Sequence, residues 1–270
     1  MEKINQEQHT ILCIIQARMG STRLPGKTLL KVKGVSLLEY EIRRVRRAKE
    51  IDKIVIATTI NKEDDAIENL CKQIKVSCFR GSQTDVLDRY YQCALLYPEF
   101  SSVVRITGDC PLIDPTVIDE VVTLFKKRCL DYASNIEKET FPDGMDMEIF
   151  TRKALTEAYQ HAKLQSEREH VTPYMRKHRK FKKGELAASY SLGRFRFTVD
   201  EKEDFELVKF LIEHSSRNAG YLDYISLLAK NPEIMKKNMH IARNEGYKKS
   251  LKEDCIMPLQ KGSFEDKLGV

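Results

Sequence analysis

An α/β protein with a mostly parallel sheet and helices on both faces is the fold this sequence predicts. Short β-branched runs alternate with helix-length amphipathic segments through the first half of the chain. Strands that follow one another through helical crossovers pair in parallel, and the crossovers cover both faces. The apolar runs are strand-sized, and none approaches the roughly 18 residues of a membrane span.

Residues 11–17 (ILCIIQA) read as a buried strand. Residues 36–49 read as a helix, because Ser36 and Glu39 form a capping-box pattern and Leu38, Ile42 and Val45 recur on one face. A second strand is expected at 53–60, a helix at 64–74, a short strand at 76–79, a helix at 85–96 and a fourth strand at 102–107. Over 114–128, Asp114 as N-cap, Pro115 at the first helical position and an apolar stripe of Val117, Val121 and Leu124 predict a helix. In the second half, 145–150 (MDMEIF) and 195–199 (FRFTV) alternate as strands that extend the sheet in antiparallel sense. Helices are expected at 152–162 and 203–213. Ser166 and Glu169 repeat the capping-box spacing, with Pro173 either in an early turn or ending that helix. From about Asn218 the chain turns helical, basic and less apolar, as an appended segment. The expected organisation is therefore one domain over 1–217 and a helical extension over 218–270.

A chain of 270 residues buries a large core without disulfides or metal staples. Its seven cysteines are scattered, with no CxxC, and predict reduced thiols in a cytoplasmic protein. The first ten residues are polar and mixed in charge, with no apolar run of a secretory signal. A net charge of +6 suits an anionic small molecule; no nucleic-acid or membrane partner is expected. The run RKHRKFKK over 176–183 reads as a solvated loop, or as a funnel for anions.

In parallel sheets ligands gather at the carboxyl ends of strands, so the loops after Ala17 and Thr107 come first. The segment 16–28, QARMGSTRLPGKT, holds Arg18, Arg23, Lys27, two glycines, Ser21 and Thr22 directly after a buried strand. Cations, hydroxyls and closely approaching backbone N–H groups are what a triphosphate requires. The segment is not a P-loop: Gly26-Lys27-Thr28 fits the end of GxxxxGK[ST], yet five residues separate Gly20 from Gly26 and Pro25 lies between them.

QARMGSTRLPGKTLL closely resembles the nucleotide-binding loop of the cytidylyltransferases that activate sugar acids. These are the CMP-Kdo and CMP-acylneuraminate synthetases, and especially their spore-coat polysaccharide biosynthesis branch. The resemblance continues in order through FRGSQTDVLDRYY, VVRITGDCPLIDP, PDGMDMEIF, SEREHVTPYMRKH and FTVDEKEDFELV, covering roughly 10–215. It implies a Rossmann-like nucleotidyltransferase fold, related to that of GT-A glycosyltransferases, with a nucleotide half over about 10–130 and an acceptor and dimer half over about 131–217. Arg18, Ser21, Arg23 and Lys27 would bind the CTP phosphates, Arg18 and Lys27 acting catalytically with Asp109. Arg80, Ser82 and Asp85 would contact base or ribose, although Asp85 equally suits an N-cap. Asp109 and Asp200 would ligate Mg²⁺. Asp143, Asp146, Glu148, Arg168, His170 and Tyr174 would form the acceptor side, and the enzyme would be a homodimer.

Thr107 stands where the CMP-Kdo synthetases usually carry glutamine, and the acylneuraminate enzymes usually lack the STRLPGK wording. The acceptor implied is therefore a related nonulosonic acid. A nucleotide-sugar-dependent glycosyltransferase is the alternative reading, weakened by three loop cations where a diphosphate needs fewer.

Overall fold

The computed structural model describes residues 9–257. In chain order the strands are β1 (Ile11–Gln16), β2 (Lys31–Val32), β3 (Val35–Ser36), β4 (Lys53–Thr59), β5 (Ser77–Gly81), β6 (Ser102–Thr107), β7 (Tyr132–Ser134), β8 (Glu148–Thr151) and β9 (Lys183–Glu185). The helices are α1 (Leu37–Val45), α2 (Asp65–Ile74), α3 (Val86–Leu95), α4 (Pro115–Arg128), α5 (Arg152–His161), α6 (Gln165–His170), α7 (Pro173–Lys177), α8 (Lys202–His214), α9 (Tyr221–Ala229), α10 (Pro232–Met235) and α11 (Glu245–Lys252).

Seven strands build one sheet in the order β5-β4-β1-β6-β8-β7-β9, while β2 and β3 form a separate hairpin. The first four of these pair in parallel. β8 then enters antiparallel to both β6 and β7, and β9 closes the edge parallel to β7. Strand period explains why β1 reads as an unbroken apolar run. Ile11, Cys13 and Ile15 face a core shared with α1, α2 and α4, whereas Leu12 and Ile14 face one shared with α3 and α5. The helix starts follow their capping residues: Ser36 Oγ accepts the Glu39 N–H, and Asp114 Oδ1 accepts that of Thr116 ahead of Pro115.

Three expectations are corrected. Residues 195–199 are not a strand; a single bridge joins Asp143 to Arg196. The alternation there reports burial, because Phe195, Phe197 and Val199 enter a third core with α8 and α9. Ser166 caps nothing: its hydroxyl donates to Asp254 at 2.7 Å, and Glu167 instead accepts the N–H groups of Lys163 and Leu164. Pro173 opens the new helix α7. Within the basic run, Arg176 and Lys177 end helix α7 and Lys183 begins strand β9 rather than lying in a loop.

Beyond Asn218 the chain packs closely. Tyr224 and Leu228 of α9 join the third core, and the buried Arg44 donates to the Tyr224 hydroxyl and to the Ala219 carbonyl. Residues 258–270 of the predicted extension lie outside the described residues. Among the described residues no helix is long and apolar enough to cross a membrane.

Candidate active site

From β1 the sheet runs through β4 and β5 to one edge and through β6 to the other, so the loops leaving β1 and β6 diverge over a crevice. A cleft of about 1080 Å³ opens there. The loop after β1 is pinned from below: Asp64 accepts the Met19 N–H at 2.7 Å, and the Thr28 hydroxyl donates to the Arg18 carbonyl at 3.1 Å. Gly26, at φ +69°, opens the turn that carries Lys27. Arg18, Ser21, Arg23 and Lys27 all line the cleft. Across from them, Gly108 lets the β6 loop lie against the end of β1, since a Cβ there would stand 2.8 Å from the Gln16 carbonyl. That close approach sets Asp109 beside the β1 loop.

Lys27 Nζ is the centre of the arrangement. It donates to Asp200 Oδ1 at 2.8 Å, to Asp109 Oδ2 at 3.2 Å and to the Val199 carbonyl at 2.7 Å. Burial works against a charge on Lys27, but the two carboxylates outweigh it and raise its pKa above the ordinary lysine value. Burial likewise opposes ionisation of Asp109, and Lys27, with the Thr107 and Cys110 side chains, reverses this and lowers its pKa. Arg23 pairs with Asp200 at 2.9 Å and Glu201 at 3.3 Å. The Mg²⁺ implied by the resemblance finds two hard carboxylate donors here, converging on one positive charge. Mg²⁺ is commonly held by one or two carboxylates with substrate phosphates and water completing the shell, so the donor set fits. Beneath Asp109 lies Glu41, which sequence reasoning passed over. Burial, and then Asp109, push its pKa well up, and its Oε2 accepts the Cys110 N–H at 3.2 Å.

The three carboxylates expected on the acceptor side are each paired. Gly144, at φ +97°, passes so close to Thr198 N that a Cβ would stand 2.5 Å away, which brings Asp143 to Arg196 at 2.7 Å. Arg196 also holds Asp200 at 2.8 Å and Asp204 at 2.9 Å. Asp146 pairs with Arg243, whose guanidinium opposes the burial that pushes Asp146 up to about 7. Glu148 faces Arg105 directly across β8 and β6, pairs with it, and accepts from the Tyr132 hydroxyl at 2.7 Å. His170 Nε2 lies 3.0 Å from Ser250 Oγ, and its ring meets Tyr247 edge-on at 4.9 Å. Arg105, Arg196 and Arg243 were not foreseen.

Burial, reinforced by Arg105, lowers the His170 pKa to about 4. The unfolded chain then binds the proton more readily than the folded one, so stability falls as pH drops from 6.5 towards 4. Between pH 6.5 and 5 this loss is on the order of 1–2 kcal/mol. Urea midpoints of the native and His170→Gln proteins at those two pH values check it: the variant should lose less.

Five predicted contacts lie elsewhere. The Arg80 guanidinium is held outside the cleft by Asp65, by Glu68 at 2.9 Å and by the Thr59 carbonyl at 2.9 Å. Ser82 accepts the Asp85 N–H at 3.0 Å, within the turn into α3. Asp85 is the N-cap of α3 and forms a buried pair with Arg168, whose Nε donates at 2.9 Å. Neither of these two lines the cleft, nor does Tyr174, whose ring packs in the core under α3 and α5. Gln83 and Thr84, between Ser82 and Asp85, do reach it.

A family model described as cytidylyltransferase matches residues 12–247. The chain belongs to the cytidylyltransferase family. Among relatives of this nucleotidyltransferase, an uncharacterised protein of Methanocaldococcus jannaschii is 40% identical over 88% of this chain and 98% of its own. The spore coat polysaccharide biosynthesis protein SpsF of Bacillus subtilis is 33% identical over 83% of this chain and 95% of its own. A cytidylyltransferase structure from Leptospira borgpetersenii superposes with a TM-score of 0.81 at 37% identity, over 87% of this chain and all of that one. The family match sets aside the glycosyltransferase alternative.

Proposed function

We propose that this cytidylyltransferase transfers CMP from CTP to a sugar acid of nonulosonic type, releasing pyrophosphate and a CMP-sugar for a surface or spore-coat glycan. The observation that carries the reading is Lys27, shared between Asp109 and Asp200 in a cleft that Arg18 and Arg23 also line. The spore-coat role named for the Bacillus relative supports the pathway, and 3-deoxy-manno-octulosonate cytidylyltransferases match about half of this chain.

The acceptor hydroxyl attacks the α-phosphorus in line and gives its proton to solvent, forming the new P–O bond as the bond to pyrophosphate breaks. Arg18, Arg23 and Lys27 receive the charge that builds on the departing phosphates. Asp109 and Asp200 would hold Mg²⁺, which would neutralise charge on the triphosphate. The protein otherwise positions: the β1 loop fixes the phosphates, and the β8 side fixes the acceptor.

Pyrophosphate release tests the reading, with each nucleoside triphosphate, Mg²⁺, and a panel of 3-deoxy-manno-octulosonate, its 8-amino-8-deoxy analogue, N-acetylneuraminate and other nonulosonates. Turnover with CTP and at least one acid is expected; equal turnover with ATP or GTP would overturn the cytidylyl reading. Arg23→Ala should weaken CTP about 10- to 100-fold, from a charge-assisted bond worth roughly 1.5–3 kcal/mol. CMP should be nearly unaffected, because Arg23 is assigned to the distal phosphates. Calorimetry with both nucleotides checks this, and equal losses would move Arg23 away from those phosphates.

A further inference from the structure

The segment after α10 crosses to the acceptor side of the cleft and is fastened there at three places. At its start, the buried Asn238 amide donates to the Arg196 carbonyl at 3.1 Å and to Asp204 at 2.9 Å. In the middle, Arg243 inserts between the loop carboxylates: it pairs with Asp146, lies 3.9 Å from Asp143 and donates to the Phe141 carbonyl at 3.1 Å. At the end, Ser250 Oγ donates to Glu169 at 2.9 Å and touches His170, while the Cys255 carbonyl accepts the Gln165 N–H at 2.9 Å. Tyr247 fills the space between, edge-on to His170 and 5.5 Å under the Arg176 guanidinium.

We infer that this segment is a wall of the acceptor site, and that Arg243 is the positioning residue that fixes Asp146 to take the hydroxyls of a polyhydroxylated acid. The inference rests on the sugar-acid reading above and adds to it a part of the chain to which that reading gives no role. Asp146 and Tyr247 both line the cleft, so the tail reaches the acceptor space itself. Arg243 is only 9% exposed, and its Nε has no hydrogen-bond partner among the described residues. Burying a guanidinium with an open donor costs stability, and that cost is offset by holding acidic neighbours in one orientation. Without Arg243, Asp146 is left among Asp143, Glu148 and Asp109. It then either stays charged and repels an anionic acceptor, or takes a proton and accepts more weakly, at one oxygen fewer, from sugar hydroxyls. The phosphate loop meets the tail at Arg23 and Glu245, 3.7 Å apart, and Arg23 keeps Asp200 and Glu201 in either case, so CTP binding loses little.

The test uses the full chain and the panel acid that the native enzyme turns over fastest. Arg243→Ala should raise the KM for that acid at least tenfold, with the Kd for CTP changed less than twofold, and Arg243→Lys should recover part of the loss. Tyr247→Ala, which leaves the Arg243 pairs in place, should also raise the acceptor KM and spare CTP. A fall in melting temperature with CTP and acceptor impaired alike in both variants would mean a merely structural tail and overturn the inference. Unchanged acceptor KM in Arg243→Ala, against an active native enzyme, would overturn it while leaving the sugar-acid reading intact. Failure of every acid with the native enzyme would overturn both.

Discussion

Asp109→Asn is expected to fold normally and to lose turnover by on the order of 10²-fold or more. Asparagine keeps the shape of the side chain but removes one of the two carboxylates that Lys27 bridges, and with it half of the proposed metal donor set. Losing a charge-stabilising contact of this kind commonly costs that much in rate. The fold should survive, because the side chain is about a quarter exposed and Lys27 keeps Asp200 and the Val199 carbonyl. Pyrophosphate release and a melting curve on one preparation check both halves. Near-native turnover by the folded variant would remove Asp109 from the chemistry.

Arg196→Ala should have the largest effect on stability. One guanidinium, 6% exposed, holds Asp143, Asp200 and Asp204, and Asp204 is itself completely buried. Removing one partner of a buried ion pair costs roughly 3–5 kcal/mol, because the remaining charges stay desolvated. At roughly 2–4 °C per kcal/mol for a chain of this size, the melting temperature should fall by about 10 °C. Lysine at this position restores the charge but not the fork that reaches three carboxylates, so Arg196→Lys should recover only part of the loss. A shift under about 2 °C in Arg196→Ala would show that the three acids find other partners.

The parts of the site that were legible in the sequence are local ones. The β1 loop carries its cations within ten consecutive positions, and all four assigned residues line the cleft. Asp109 and Asp200 each stand just past a run read as a strand, and both meet Lys27. What could not be read depends on partners far along the chain. Arg168 and Asp85 are 83 positions apart and neutralise each other under the surface, so a pair that looks like two ligands in a linear reading is one internal bridge. Arg243 and Asp146 are 97 positions apart. Arg196 did leave a signal: a cation between Phe195 and Phe197 in an otherwise apolar alternation has to face something acidic. The same alternation misled about the backbone. Its apolar residues do share a core, while Arg196, Thr198 and Asp200 line the cleft, yet no neighbouring strand completes a ladder.

The pairing of β8 with β6 restricts how the molecule can close on its substrates. Arg105 and Glu148 are direct neighbours in one sheet, so the strand leading to Asp109 and the strand that opens with Glu148 share backbone hydrogen bonds. Enzymes that close by hinge bending swing two bodies about a few linking residues. Here such a swing would have to tear the sheet along its middle. With the β1 loop and the returning tail fastened as well, any adjustment on binding is confined to side chains at the crevice, and the molecule's radius of gyration should hardly change between free and loaded states.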